Sequence, residues 1–92
     1  MMAALDLLGR RWTLRVIWEL QQAPAGFREL RRRCDTMSSS VLSQRLRELT
    51  DLGLVTTDEH RIYRLTPLGE HLQDALDPLL TWSQQWQATL DR

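Results

Sequence analysis

The chain has 92 residues, of which 42% are hydrophobic and four are tryptophan, and it carries no net charge at pH 7. This length favours one domain, spanning residues 1–92, with a small core. A single cysteine excludes an internal disulfide, and the apolar run before Arg10 is too short for a signal peptide or a membrane span. We therefore expect a cytoplasmic protein.

The charges are unevenly divided between the two halves of the chain. Residues 1–47 contain nine arginines and four acidic residues, whereas residues 48–92 contain three arginines and eight acidic residues. This asymmetry predicts a basic side, whose field would attract a polyanion such as nucleic acid. All twelve basic residues are arginine. Codon usage in a GC-rich genome would explain this, and so would selection for the bidentate binding of phosphate and guanine by arginine.

Two helices are predicted in the first third of the chain. Apolar residues recur at helical spacing from Trp12 to Gln21, and "QQAPAG" then ends the helix because proline and glycine interrupt it. A second, short helix is predicted from Phe27 to Arg33, with apolar residues on one face and arginines on the other.

A third helix is predicted over about 38–52. Ser38 is a good N-cap, and Gly53 is a typical C-terminal cap. The stripe predicted to be buried consists of Leu42, Leu46 and Leu49.

The pattern then changes to two short β-branched and aromatic runs, "LVTT" and "RIYRLT", which predict a hairpin over about 54–66 with a three-residue tip, "DEH". Thr66 and Pro67 predict the start of a last helix over about 67–90, kinked near Pro78. Apolar residues lie three or four apart along it: Leu68, Leu72, Leu76, Leu79, Trp82, Trp86 and Leu90.

This order, mainly α with a small β-hairpin, is that of a winged helix-turn-helix with a long C-terminal helix. The stretches "LDLLGRRWTLRVIWEL", "FRELRRRCDTMSSSVLSQRLRELTDLGLV" and "YRLTPLGEHL" also resemble the HxlR-type family of bacterial winged helix-turn-helix transcription regulators. The resemblance covers nearly the whole chain. It implies a DNA-binding regulator that is not an enzyme, with the helix at 38–52 as its recognition helix.

Polar residues are predicted to form a DNA-reading face on that helix. If its leucines point inward, Ser40, Ser43, Gln44, Arg47 and Asp51 point outward. Glutamine can pair with adenine and arginine with guanine, while Ser38, Ser39 and Ser40 lie at a helix N-terminus, which favours phosphate. The alternative is an ordinary solvated helix face.

Further phosphate contacts are predicted from arginines outside the recognition helix. Neighbouring residues of a helix point in different directions, so only two of Arg31, Arg32 and Arg33 are expected to approach the DNA backbone. We assign this role to Arg31 and Arg32. Arg11 replaces the basic residue of the family's usual Gly-Gly-Lys-Trp pattern and is a further candidate. A plain surface arginine is an equally good interpretation of Arg11.

Cys34 raises the question of a redox role, because the family includes thiol-sensing regulators. Their sensing cysteine precedes the segment that matches Leu5 to Trp12, so Cys34 does not correspond to it. Four residues after Leu30, Cys34 is expected to fill the core as an inert thiol, with a reactive thiol activated by the adjacent arginines as the alternative. The two histidines share no spacing with other ligands, and neither a metal site nor a cofactor is predicted.

The hairpin departs from the family, whose wing normally has a longer loop. Asp58 and Glu59 at the tip are expected to repel phosphates, which leaves weak minor-groove contact from His60 or Arg61.

A homodimer is predicted because the last helix carries more apolar surface than a small domain can cover. The expected interface residues are Leu5, Leu8, Leu76, Leu79, Trp82 and Trp86. The alternative is a small-molecule pocket lined by the two tryptophans.

The predicted function is sequence-specific binding of duplex DNA at an inverted repeat, with two recognition helices about 34 Å apart. The alternative is a dimeric protein-interaction module that keeps the fold but has lost DNA binding. The short acidic hairpin favours that alternative.

Overall fold

The computed structural model describes residues 2–35 and 37–91, which form five helices and two strands. In chain order these are α1 (Met2–Leu8), α2 (Thr13–Gln22), α3 (Phe27–Arg33), α4 (Ser39–Asp51), β1 (Val55–Thr57), β2 (Tyr63–Leu65) and α5 (Pro67–Leu90). The predicted order of helices and hairpin is confirmed, and the fold is a winged helix-turn-helix.

The core lies where α2, α3 and α4 meet the hairpin. Val16 and Ile17 of α2 and Leu30 of α3 are fully buried. The stripe predicted for α4 is confirmed, since it is buried in full: Leu42, Leu46 and Leu49. Burying one such side chain stabilises the fold by about 1.5 to 3 kcal/mol.

The two ends of α4 are set by the capping residues expected from the sequence. Ser38 Oγ accepts a hydrogen bond from Val41 N at 3.2 Å, which satisfies one of the free N–H groups of the first turn. Gly53 follows the helix with φ of 77°, a left-handed conformation that glycine adopts without steric cost.

The start of α2 differs from its prediction by one residue. Trp12 has φ of 77°, so it precedes the helix in a left-handed conformation, and the helix begins at Thr13. A bulky residue in that region costs about 1 kcal/mol or more. The half-buried Trp12 ring packs against the core, and this packing offsets the cost.

A short helix, α1, precedes α2 and was not assigned from the sequence. It covers Met2–Leu8, and Gly9 N donates to Leu5 O at 2.8 Å. Its sequence, MAALDLL, is apolar at six of seven positions, so no spacing separates a buried face from a polar one.

The hairpin is antiparallel, with Val55 opposite Leu65 and Thr57 opposite Tyr63. Its loop spans 58–62, so the tip is five residues long and not the three predicted. Tyr63 also exchanges both backbone hydrogen bonds with Ala25, at 2.8 and 3.1 Å, which ties the wing to the connection between α2 and α3.

The long helix α5 starts where Thr66 and Pro67 predicted. Thr66 Oγ1 accepts from Gly69 N at 3.1 Å, and Gly69 packs so closely on the hairpin that an added Cβ would lie 2.1 Å from Leu54 O. The helix continues through Pro78, and its residues from Thr81 onward are all exposed. Its second half therefore extends away from the core.

Candidate nucleic-acid interface

Four polar residues of α4 form one exposed surface, which we call the reading face: Ser40, Ser43, Gln44 and Arg47. The buried leucines fix the rotation of α4, so these side chains lie on its outer side. Gln44 and Arg47 are adjacent there at a spacing of three residues. Together they offer the amide and guanidinium groups that pair with adenine and guanine edges in a major groove.

The serines before and at the start of α4 divide between two environments. Ser38 Oγ caps the helix and lies 3.3 Å from Ser40 Oγ, so part of its hydrogen-bonding capacity is used within the chain. Ser39 is exposed beside them, at the positive end of a thirteen-residue helix. All three serines are exposed, and their predicted contact with phosphate stays a prediction.

The consecutive arginines of α3 have different roles. Arg31 and Arg32 are exposed, and Arg32 Nε donates to Glu29 Oε2 at 2.9 Å. The hydrogen bond from Arg32 lowers the pKa of the Glu29 carboxyl below its ordinary value. A phosphate would compete with that carboxylate for Arg32.

Arg33 is half-buried and holds α3 against α2. Its Nη1 donates to Ala23 O at 2.9 Å and to Glu19 O at 3.3 Å, while its own carbonyl accepts from Arg15 Nη2 at 2.9 Å. The divergence predicted for the three arginines is therefore present, with Arg33 turned inward.

Arg11 is exposed on the turn between α1 and α2. Its guanidinium lies 5.6 Å from the centroid of the Trp12 ring, in cation–π contact, and its carbonyl accepts from Arg45 Nε at 3.0 Å. Both its backbone and its side chain are held, on the same side of the molecule as α4.

One aspartate organises the loop of the wing. Asp58 Oδ1 accepts from His60 N at 2.8 Å and Ile62 N at 3.0 Å, and Oδ2 accepts from Arg64 Nη2 at 3.1 Å. These bonds, led by the one from Ile62, lower the pKa of Asp58. The sequence placed two repelling acids at the tip, but Asp58 is turned back and paired, which leaves Glu59 as the outward acid.

The two predicted wing contacts, His60 and Arg61, are both exposed. Arg61 has φ of 61°, a left-handed conformation imposed by the tight loop, and its N donates to Asp58 O at 3.0 Å. His60 Nε2 lies 3.6 Å from Glu59 Oε1.

Cys34 lies in the core, 1% exposed, as the preferred interpretation of the sequence held. Burial raises the pKa of its thiol, against the weaker opposite effect of Arg15. A raised pKa and burial both oppose formation of a reactive thiolate. Across residues 2–35 and 37–91, no three potential ligand side chains are grouped as a metal would need.

The second half of α5 carries an exposed apolar stripe. Leu79, Trp82 and Trp86 are about half exposed, and the two tryptophan rings stack with centroids 5.6 Å apart and planes 18° apart. Leu5 of α1 is also exposed, and Leu8 is half-buried. Leu76 is only 8% exposed because it packs inside its own chain. Its exposed neighbours are therefore better candidates for a dimer interface than Leu76, which the sequence had suggested.

A groove between α2 and α5 was not anticipated. Its volume is about 460 Å³, and its lining combines the apolar Leu14, Trp18 and Leu80 with the polar Arg15, Ser83 and Gln84. It lies beside Trp18, whereas the sequence had suggested a pocket between Trp82 and Trp86.

An exposed polar helix face, flanked by arginines and a small wing on a helix-turn-helix scaffold, defines a DNA-binding protein of the winged helix-turn-helix class. The sequence profile of HxlR-like helix-turn-helix proteins matches residues 7–91. The chain belongs to this family, whose members are DNA-binding transcriptional regulators and not enzymes. In the part of the chain that the structure describes, no helix is both long and apolar enough to span a bilayer.

Curated relatives and solved structures agree with this assignment. The HTH-type transcriptional regulator YodB of Bacillus subtilis is 32% identical over 92 residues, which cover 94% of this chain and 82% of the relative. The quinone-bound structure of YodB matches with a TM-score of 0.85 at 33% identity, over 92% of this chain and 96% of that chain. A possible HxlR family transcriptional factor from Thermoplasma volcanium matches with a TM-score of 0.79 at 35% identity, over 96% and 81%.

Proposed function

We propose that this protein is a homodimeric, sequence-specific regulator of transcription that binds an inverted-repeat operator in a bacterial cytoplasm. The observation that carries the proposal is the reading face of α4, whose four polar side chains are exposed while the leucines behind them are buried. A helix of this kind can enter a major groove without unfolding any of the core.

Positioning of the DNA would come from residues around the reading face. Arg11, Arg31 and Arg32 are exposed cations on neighbouring elements, and the serines at the start of α4 add hydroxyl and backbone N–H donors. Such contacts fix the register of a protein on DNA without reading sequence. His60 and Arg61 would add a contact from the wing, since pairing of Asp58 with Arg64 removes one repulsive charge.

Dimerisation is supported by the apolar stripe on α5. Leu79, Trp82, Trp86 and Leu90 are all about half exposed, on a helix end that leaves the core. Tryptophan is enriched at the centres of protein interfaces. A two-fold dimer formed through α5 and α1 would present two reading faces, and these must lie about 34 Å apart to meet successive major grooves.

A small-molecule effector is a further part of the proposal, and the groove between α2 and α5 is its candidate site. The groove combines apolar walls with Arg15, Ser83 and Gln84, a lining typical of small-molecule sites. The structure of the relative YodB has been solved with a bound quinone, which supports the proposal that a small molecule binds to this protein as well.

The experiment is selection of bound duplexes from a random pool, followed by a salt titration on the recovered sequence. We expect a two-fold symmetric consensus, and a linear fall of log affinity with log salt, with a slope of about 0.9 per neutralised phosphate. Failure to retain any duplex at low salt would instead favour the protein-interaction module. An asymmetric consensus would contradict the homodimeric arrangement.

A further inference from the structure

Glu48 of α4 links the proposed recognition helix to the turn between α1 and α2. Its Oε2 accepts from Arg45 Nη1 at 2.7 Å, and its Oε1 lies 3.6 Å from Arg10 Nη1. Arg45 also donates its Nε to Arg11 O at 3.0 Å. We call this set of contacts, made by Arg10, Arg45, Glu48 and the carbonyl of Arg11, the Glu48 clamp.

The buried part of the clamp is the contact between α4 and the turn. The side chain of Arg45 is 12% exposed and that of Glu48 is 25% exposed, so water competes little for their hydrogen bond. One guanidinium serves a backbone carbonyl through Nε and a carboxylate through Nη1. These are two donor nitrogens held apart in one plane, and the single nitrogen of a lysine ammonium does not reproduce that spacing. Arg10 is half exposed and contributes less.

An open cavity of about 390 Å³ lies between α1 and α4, with Leu7 and Arg10 on one side and Glu48, Asp51 and Leu52 on the other. Leu7 packs on the core from α1, and the clamp adds a specific polar contact between α4 and the turn that follows α1. The turn it holds also carries Arg11, a proposed phosphate contact.

We propose that Arg45 and Glu48 are positioning residues that hold the turn after α1, and with it the α1 part of the dimer surface, in a set orientation relative to the reading face, and thereby set the half-site spacing that the dimer accepts. The inference rests on the proposed function, because it takes α1 and α5 as the dimer surface. B-form DNA presents successive major grooves at a fixed separation, so a small shift of α1 against α4 in each protomer changes which spacing fits.

Two simpler roles make different predictions. If Glu48 only repelled phosphates, its removal would tighten binding to every duplex equally. If Arg45 only attracted phosphate, lysine would replace it with little loss. The clamp predicts instead that both Glu48→Gln and Arg45→Lys lower the preference for the correct spacing, whatever happens to general affinity.

The experiment measures binding to three duplexes by fluorescence anisotropy at fixed salt: the selected operator, and versions with one base pair added to or removed from its centre. The wild type, Glu48→Gln and Arg45→Lys are compared, with folding of each checked by circular dichroism. Asp35→Asn is the control, since it removes one exposed carboxylate from the connection between α3 and α4, and Asp35 belongs neither to the clamp nor to the lining of the cavity beside it.

We expect both clamp variants to lose about fivefold of the wild-type preference for the selected spacing, a change of the size that one partly exposed charged contact supplies. Asp35→Asn should tighten binding to all three duplexes alike and leave the preference unchanged. An unchanged preference in folded Arg45→Lys and Glu48→Gln overturns the inference, and if Glu48→Gln does not fold, Arg45→Lys decides. A wild type without spacing preference refutes the inverted-repeat function itself, and the inference falls with it.

Discussion

The side chains of α4 pack in the core, hold the turn before α2 or remain exposed, according to the face of the helix on which they lie. The leucines are buried, Arg45 and Glu48 flank them in contact with the turn, and Gln44 and Arg47 are exposed. This division means that changes on the exposed face should alter recognition while leaving the free energy of unfolding nearly unchanged.

Gln44→Ala and Arg47→Ala are each expected to weaken binding to the selected operator by about 1 to 3 kcal/mol, because each would remove a proposed bidentate contact to a base edge. Binding to unrelated duplexes should change much less, and most for Arg47, which also carries charge. Competition titrations on both kinds of duplex measure the two effects. Gln22→Ala, an exposed glutamine at the end of α2, is the control. Equal losses on both duplexes would mean that another surface reads the sequence.

Cys34 is expected to resist modification in the folded protein. It is buried and the pKa of its thiol is raised, so the reactive thiolate is both scarce and inaccessible. Iodoacetamide at pH 8 should label the chain only in denaturant, as mass spectrometry would show, whereas a Thr56→Cys variant should label at once at its exposed site. Operator affinity should survive treatment with a thiol oxidant. Loss of binding on oxidation, reversed by a reductant, would contradict this expectation.

At the scale of elements, sequence patterns located the longer helices and the hairpin because each has a repeated apolar spacing or a local cap. Ser38, Gly53, Thr66 and Pro67 act within a few residues of their own positions, so their effects could be predicted. The helix α1 could not be predicted in this way, because its sequence MAALDLL is apolar at nearly every position and gives neither a polar face nor a capping residue. The equally short α3 has arginines on one face, and it was predicted.

The sequence patterns could not predict which side chains make contacts between elements. Nothing in "SQRLRE" distinguishes Arg45, which is held by Glu48 and Arg11 O, from Arg47, which is exposed, except their angles about the helix axis. The same holds for Arg33 among three arginines. The spacing from the leucines would have placed Arg45 beside the buried stripe, but not shown which carbonyl it reaches.

The wing is expected to depend on the ionised form of Asp58. Because hydrogen bonds lower its pKa in the folded state, its contribution to stability is fully present above the unfolded-state pKa and is lost as pH falls through the folded-state value. The amide signals of His60 and Ile62, followed by NMR during acid titration, should report a pKa below that of an ordinary aspartate. Asp58→Asn should abolish that titration. A midpoint at the ordinary aspartate value would show that the loop does not depend on these bonds.

Charge and exposed apolar surface are concentrated on different elements of the molecule. Exposed arginines lie on α3 and α4 and on the turn before α2, whereas Trp82 and Trp86 are exposed on the second half of α5. DNA would be attracted to the elements that carry the arginines, and a second copy would cover the stripe on α5. A net charge of zero is compatible with this arrangement, because the field near a surface depends on the charges around it and not on the total.

Dimerisation is expected to depend on Trp82 and Trp86. Each is about half exposed, so replacing either with alanine removes little packing within its own chain, whereas a buried interface tryptophan is often worth about 2 kcal/mol or more. Each change should raise the dimer dissociation constant roughly thirtyfold. Sedimentation velocity over a range of concentrations measures this shift, and Gln85→Ala, also exposed on α5, is the control.

Because two half-sites must be bound at once, operator affinity should fall with the dimer, while the far-UV spectrum stays unchanged. A dimer that persists in the double variant Trp82→Ala/Trp86→Ala would place the interface on another surface.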